Sequence, residues 1–203
     1  TEIKTLHLRD NPIEDLSALQ NLDKIEQLDI SFTQVSDLSP VVSDKLKALY
    51  MEYSNLEDFS VLKACPNIED IRVSNATKEE IAQLSCIENL KNFSVYEGEV
   101  DSLEMFLNVP HLQGLELAGC AGLTSLEGIE NFPELGFLGL AGTGISSFPE
   151  HFYHDNLEVL ELTGTSVTDF KALLRCPKLR NLYVSEEVEP LASRQLENSN
   201  IQV

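Results

Sequence analysis

The chain has 203 residues, 42% of them apolar, which is enough to bury a core and is the length of one ordinary domain. Asp and Glu number 34 against 14 Lys and Arg, a formal net charge of −20. That balance keeps a chain dispersed, attracts a basic protein, and repels nucleic acid and anionic lipid, whose affinity rests on Lys and Arg.

The first element in chain order is "TLHL", where Leu6 and Leu8 alternate with polar residues as in a short strand. Ile13, Leu16, Leu19 and Leu22 follow as apolar residues of a return path. The same pair then recurs as Leu28/Ile30, Leu49/Met51, Ile71/Val73, Phe93/Val95, Leu115/Leu117, Leu138/Leu140, Leu160/Leu162 and Leu182/Val184. Successive first members are 22, 21, 22, 22, 22, 23, 22 and 22 residues apart, a regularity that chance does not produce. Between strands, "TKEEIAQLS", "VDSLEMFLNV" and "FKALLRC" have helical spacing, so these return paths are expected to hold one or two helical turns. A tenth turn is expected at "NSNIQV", with Ile201 and Val203, although Ile201 is only 19 residues beyond Leu182. No Gly, Ser or Pro run marks a linker, and no stretch approaches the roughly 20 apolar residues of a membrane span.

One such unit cannot bury its own apolar face, whereas stacked units share a continuous core. The pattern L-x-x-L-x-L at this period resembles the leucine-rich repeat family over nearly the whole chain. "LDISFTQVSDLSPV" (residues 28–41) is similar to the 22-residue repeats of bacterial internalin-like proteins. The resemblance implies an α/β solenoid with a curved parallel sheet on its concave face, and short helices, 3-10 turns and loops on its convex face. It also implies an Asn after each strand, whose amide bonds backbone groups of neighbouring turns. Only Asn11 fits; Thr33, Ser54, Ala76, Gly98, Cys120, Thr143, Thr165 and Glu187 occupy the other places. Ala76 and Gly98 have no side-chain donor, so turns four and five are expected to be irregular. Residues 1–203 are expected to be a single domain of about nine repeats, with 186–203 as a C-terminal capping segment. The missing initiator Met and N-terminal cap suggest a portion of a longer protein.

Catalytic constellations are not evident. "PEHFYHDN" holds His151 and His154, and a polar loop is favoured there over a metal site. Cys65 and Cys176 stand at equivalent places in "KACPNI" and "LRCPKL", as small buried side chains would, and a Cys65–Cys86 disulfide is a minor alternative. Phosphate-loop, nucleophile-elbow and C-x-x-C motifs are missing. The expectation is a protein that is not an enzyme, with no cofactor, no metal and no small-molecule substrate.

Alternation places three outward columns along the sheet, 27 positions in all, which hold three of the five tyrosines: Tyr50, Tyr96 and Tyr183. Phe137 adds an aromatic, Phe32 and Tyr53 lie one residue past the sheet edge, and Asp29, Glu52, Asp70, Glu116 and Glu161 outnumber Arg9 and Arg72. Exposed aromatics on a rigid sheet are typical anchors of protein interfaces. The candidate site is therefore Asp29, Phe32, Tyr50, Glu52, Tyr53, Asp70, Arg72, Tyr96, Glu116, Phe137, Glu161 and Tyr183. It would bind a protein partner, a basic one being the charge complement, with neither nucleic acid nor membrane insertion involved. Gly114 and Gly139, outward on strands, could let a partner approach closely, whereas Gly119, Gly142 and Gly164 share one place suited to positive φ. The charge equally fits an acidic inhibitor or immunity protein that neutralises a basic toxin such as a nuclease. Unpaired cysteines favour the cytoplasm; the internalin resemblance implies a bacterial origin and allows a secreted or cell-surface location.

Overall fold

The computed structural model describes residues 2–56 and 58–203. Among them, nine strands form one parallel sheet in chain order: β1 (Thr5–His7), β2 (Gln27–Asp29), β3 (Ala48–Tyr50), β4 (Asp70–Ser74), β5 (Asn92–Tyr96), β6 (Gly114–Glu116), β7 (Phe137–Gly139), β8 (Val159–Glu161) and β9 (Asn181–Tyr183). The sheet is open and curved. Its register pairs Leu6 with Leu28, Leu28 with Leu49, and so on to Leu160 with Leu182. A single polypeptide therefore lays one inward leucine-type residue on the next at every turn.

The inward pairs from Leu28/Ile30 to Leu160/Leu162 are all buried, as is Leu182. Leu6, Leu8 and Val184 are only partly buried because they stand at the ends of the stack. Aromatic residues fill the interior between sheet and return paths: Phe93 and Phe106 meet edge to face with centroids 5.6 Å apart, and Phe132, Phe152 and Phe170 continue the layer. The tenth turn closes differently from the sequence expectation. An isolated parallel bridge joins Asn181 to Gln202, so Leu182 is opposed by Val203, not by Ile201.

The return paths are mostly 3-10. "TKEEIAQLS" forms an α-helix, α1 (Lys78–Leu84), started by a reciprocal capping box between Thr77 and Glu80. "VDSLEMFLNV" and "FKALLRC" instead form 3-10 segments at Leu103–Phe106 and Lys171–Arg175. Helical spacing alone does not separate the two, and a path that must close within about 22 residues leaves room only for short tight turns. In the expected capping segment the chain forms α2 (Glu189–Gln195), which buries Ala192, with Leu196 buried just past its end; Gln195 accepts from the Phe170 N–H and donates to the Thr168 carbonyl.

The expected Asn ladder is replaced by two other devices. Thr33, Ser54, Thr143 and Thr165 donate to carbonyls three residues earlier in their own turns, at 2.6–2.9 Å. Bonds between turns come instead from Asn67, Asn89 and Asn156, in the return paths, each 2.7 Å from a carbonyl of the preceding turn. At Gly98 a Cβ would lie 2.4 Å from Val95 Cγ1, so no side chain fits; the Val95 carbonyl accepts from Cys120 Sγ of the next turn at 3.4 Å. Turns four and five are not irregular at the sheet: they carry five-residue strands, Asp70–Ser74 and Asn92–Tyr96, paired in register throughout.

Each of the first eight strands is followed by one residue with left-handed backbone: Asp10, Phe32, Tyr53, Asn75 and Glu97, then Gly119, Gly142 and Gly164. At Asp10, Phe32, Asn75, Glu97, Gly119 and Gly142 the amide makes the last rung of the ladder, as in Phe32 to the Glu52 carbonyl at 2.8 Å, whereas the Gly164 N–H donates to the Ser185 hydroxyl at 2.8 Å. Truncating the core distinguishes this architecture from a set of independent hairpins. Phe93→Ala is expected to cost about 3–5 kcal/mol in urea unfolding, in a single transition, because the cavity opens between shared turns.

Candidate functional site

The outward columns lie where alternation predicts, and two clusters organise them. The first is at the edge of the sheet, where the chain leaves β1 to β6. Phe32 and Tyr53 stack with centroids 4.8 Å apart and planes inclined by 31°. The Arg9 guanidinium lies 4.6 Å from the Phe32 centroid, with Nη1 3.8 Å from Glu52 Oε2. Glu52 also accepts from the Ser31 hydroxyl, and the Tyr53 hydroxyl donates to Glu97 at 3.0 Å. That bond to a carboxylate holds the Tyr53 phenol above its ordinary pKa. With Tyr96, Ala118 and Gly119, these residues line a cavity of about 300 Å³.

The second cluster is central. The Tyr50 hydroxyl donates to Asp70 Oδ2 at 3.1 Å, Arg72 lies 4.3 Å over the Tyr50 ring, and Arg72 Nε is 3.9 Å from Asp70 Oδ1. Asp70 Oδ1 is buried and has no hydrogen-bond partner among the described residues. Arg72, Tyr96, Glu116 and Phe137 surround a cavity of about 410 Å³ beside it. Burial pushes the Asp70 carboxyl up against the pull of Arg72. Glu116 is raised first by burial and then by the charge of Glu161.

Of the sequence candidates, Phe32, Glu52 and Tyr53 meet at the edge, Tyr50, Asp70, Arg72, Glu116 and Phe137 meet at the centre, and Tyr96 walls both cavities. Asp29 is buried, with Oδ1 accepting the Ser31 N–H at 3.0 Å, and so presents little to solvent. Tyr183 stands apart, 53% exposed. Arg9 and Glu97 were absent from the candidate set. Glu97 was legible, because it occupies the same place after its strand as Phe32 and Tyr53.

The small-residue strip is occupied by the chain itself. A Cβ on Gly139 would lie 2.2 Å from Glu116 Oε2, and one on Gly114 would lie 2.7 Å from Asn92 Oδ1. These glycines let neighbouring polar side chains lie flat on the sheet. His154 is buried: Nδ1 accepts the Leu157 N–H at 3.0 Å, which leaves Nε2 to donate to the Phe132 carbonyl at 3.0 Å. Both ring nitrogens are thus committed to backbone, and only the exposed His151 fits the polar-loop expectation. Cys65, Cys120 and Cys176 are buried and Cys86 exposed, all four as free thiols.

A bulky residue in left-handed backbone costs about 1–2 kcal/mol, and glycine removes that cost. The stacked rings repay a similar amount, so Phe32→Gly and Tyr53→Gly are each expected to stay within about 1 kcal/mol of the parent in chemical unfolding. A larger loss in either would mean that the pair serves the core. Glu116 gives a pH test. A carboxyl raised by folding destabilises the fold once ionised, a penalty absent below its ordinary pKa and complete above the raised one. Glu116→Gln should therefore melt level with the parent at about pH 3.5 and above it at about pH 7. Equal melting at both would show that the carboxylate is not desolvated.

Comparison with known proteins was consistent with this geometry. The model described as Leucine Rich repeats (2 copies) matches residues 1–43. Protein SUPPRESSOR OF npr1-1, CONSTITUTIVE 1 of Arabidopsis thaliana is 28% identical over 163 residues, which are 76% of this chain and 11% of that protein. Human leucine-rich repeat-containing protein 56 is 30% identical over 139 residues, 60% of this chain and 24% of that protein. The chain thus spans about a tenth and a quarter of these two relatives. Among solved structures, an internalin of Listeria monocytogenes superposes with a TM-score of 0.71 at 20% identity, covering 98% of this chain and 60% of its own. The protein is a leucine-rich repeat solenoid, with that family's repeat matched over its first two turns and the fold carried through all nine.

Proposed function

We propose that the chain is a non-catalytic binding module that recognises a protein partner through the aromatic and acidic concave face. Leucine-rich repeat folds commonly mediate protein–protein interaction. The observation that carries the proposal is that half-buried aromatics and half-buried carboxylates converge on one rigid sheet. Aromatic rings there bury area on docking at little entropic loss, and a desolvated carboxylate gains most when a cation arrives. Tyr50, Tyr96 and Phe137 supply the first, and Asp70 and Glu116 the second. A basic protein surface is the complement. The net charge of −20 favours a second version, in which the chain is an acidic inhibitor covering the active site of a basic toxin.

Affinity capture from source and host lysates tests the face. The parent chain is expected to retain a protein that the folded triple variant Tyr50→Ala, Tyr96→Ala, Glu116→Lys loses, while the convex-side variant Leu174→Glu retains it. Leu174 is 53% exposed and serves as the control. Equal capture by parent and triple variant would move the site off the concave sheet. Salt then separates the two versions: association by a charge-steered inhibitor slows steeply with ionic strength, and aromatic docking does not.

A further inference from the structure

We propose that the edge cavity between Phe32, Tyr53 and Tyr96 receives the guanidinium of an arginine side chain on the partner protein. The inference rests on the concave-face proposal and sharpens it. Three aromatic rings and two carboxylates, Glu52 and Glu97, line a space of about 300 Å³. A cation over an aromatic face beside a carboxylate is favourable on both counts. The chain itself demonstrates the fit. Arg9 places its guanidinium 4.6 Å from the Phe32 centroid and 3.8 Å from Glu52. The same constellation recurs at the centre of the sheet, with Arg72 over Tyr50 at 4.3 Å and beside Asp70 at 3.9 Å.

Charge selects the occupant. Glu52 and Glu97 carry two negative charges and Arg9 returns one, so a single further cation neutralises the cavity. By order along the solenoid Arg9 belongs to the first turn, and Glu97, Ala118 and Gly119 to the fifth and sixth, which leaves the Glu97 end to an incoming group. Glu97 is oriented there by the Tyr53 hydroxyl at 3.0 Å. Gly119 keeps that end open, because a Cβ on it would come within 2.8 Å of Glu97 Cγ. A guanidinium suits the site better than an ammonium, being planar, weakly hydrated and able to stack while donating to a carboxylate.

The test is an amide NMR titration of the full ¹⁵N-labelled chain with three blocked tripeptides, acetyl-Gly-X-Gly-amide, where X is arginine, lysine or citrulline. The arginine peptide is expected to shift the amides of Phe32, Tyr53, Glu97 and Gly119 along a saturable curve. The lysine peptide should bind several-fold more weakly, and citrulline, which keeps the shape but not the charge, should leave them in place. Tyr53→Gly and Glu97→Gln should each weaken the arginine peptide several-fold, with spectra unchanged away from the cavity as the check on folding. Equal binding of lysine overturns the guanidinium assignment, and equal binding of citrulline overturns the role of charge. Saturable shifts confined to Tyr50, Glu116 and Tyr183 overturn the edge cavity and leave the concave face standing as the site. With no saturable shift at all the cavity assignment falls, while partner capture by the triple variant judges the concave face independently.

Discussion

Each turn of this chain owns an apolar stripe that it cannot bury alone, and everything else follows from that. Leu115 and Leu117 have no exposed surface only because Phe93/Val95 and Leu138/Leu140 flank them at the same height. The register needed for that stacking is one turn per 22 residues or so, and the backbone ladder enforces it. The chain must then leave every strand by the same sharp corner, which fixes a left-handed residue at one place in each of eight turns. In the last three of these the residue is glycine, which is free there, whereas earlier turns use Asp, Phe, Tyr, Asn and Glu at a cost.

That cost separates scaffold from surface. Nothing in the stacking of turns calls for an aromatic ring at the corner, since Gly142 and Gly164 make the same turn. Phe32 and Tyr53 are 43% and 42% exposed, so they contribute less to the core than their size allows. Their rings instead pack on each other, on Arg9 and beside Glu97, over the edge of the sheet. A rigid parallel sheet beneath keeps those contacts in place, and such preorganisation is what an interface needs.

The flank of the solenoid handles its acidity differently from the concave face. Lys4, Glu26 and Lys47 stand one per turn in alternating sign, and Glu69 pairs with Lys91 farther along. The bonds from both lysines hold the Glu26 carboxyl at a pKa of about 2. These pairs are exposed and contribute little stability. They do spare the flank from stacked like charges. On the concave face no such pairing among the described residues answers Glu116 and Glu161, and burial there raises Glu116 instead.

The period of the apolar residues determined the repeat, the parallel order of strands, the inward residues and the three outward columns, because a strict recurrence admits one stacking register. Exposure followed less well, since Asp29 faces outward by alternation yet is closed over by its neighbours. Spacing also did not separate 3-10 from α return paths, nor show that the donors bonding one turn to the next sit at Asn67, Asn89 and Asn156. Those depend on how far one turn's return path lies from the next. The site divided the same way. Its aromatic and acidic composition was legible, but its two clusters were not, nor were the glycines that let Asn92 and Glu116 lie flat. Which rings touch, which carboxylate loses water and which arginine covers a ring are set by side chains from different turns meeting across the sheet, 20 to 44 residues apart in the chain.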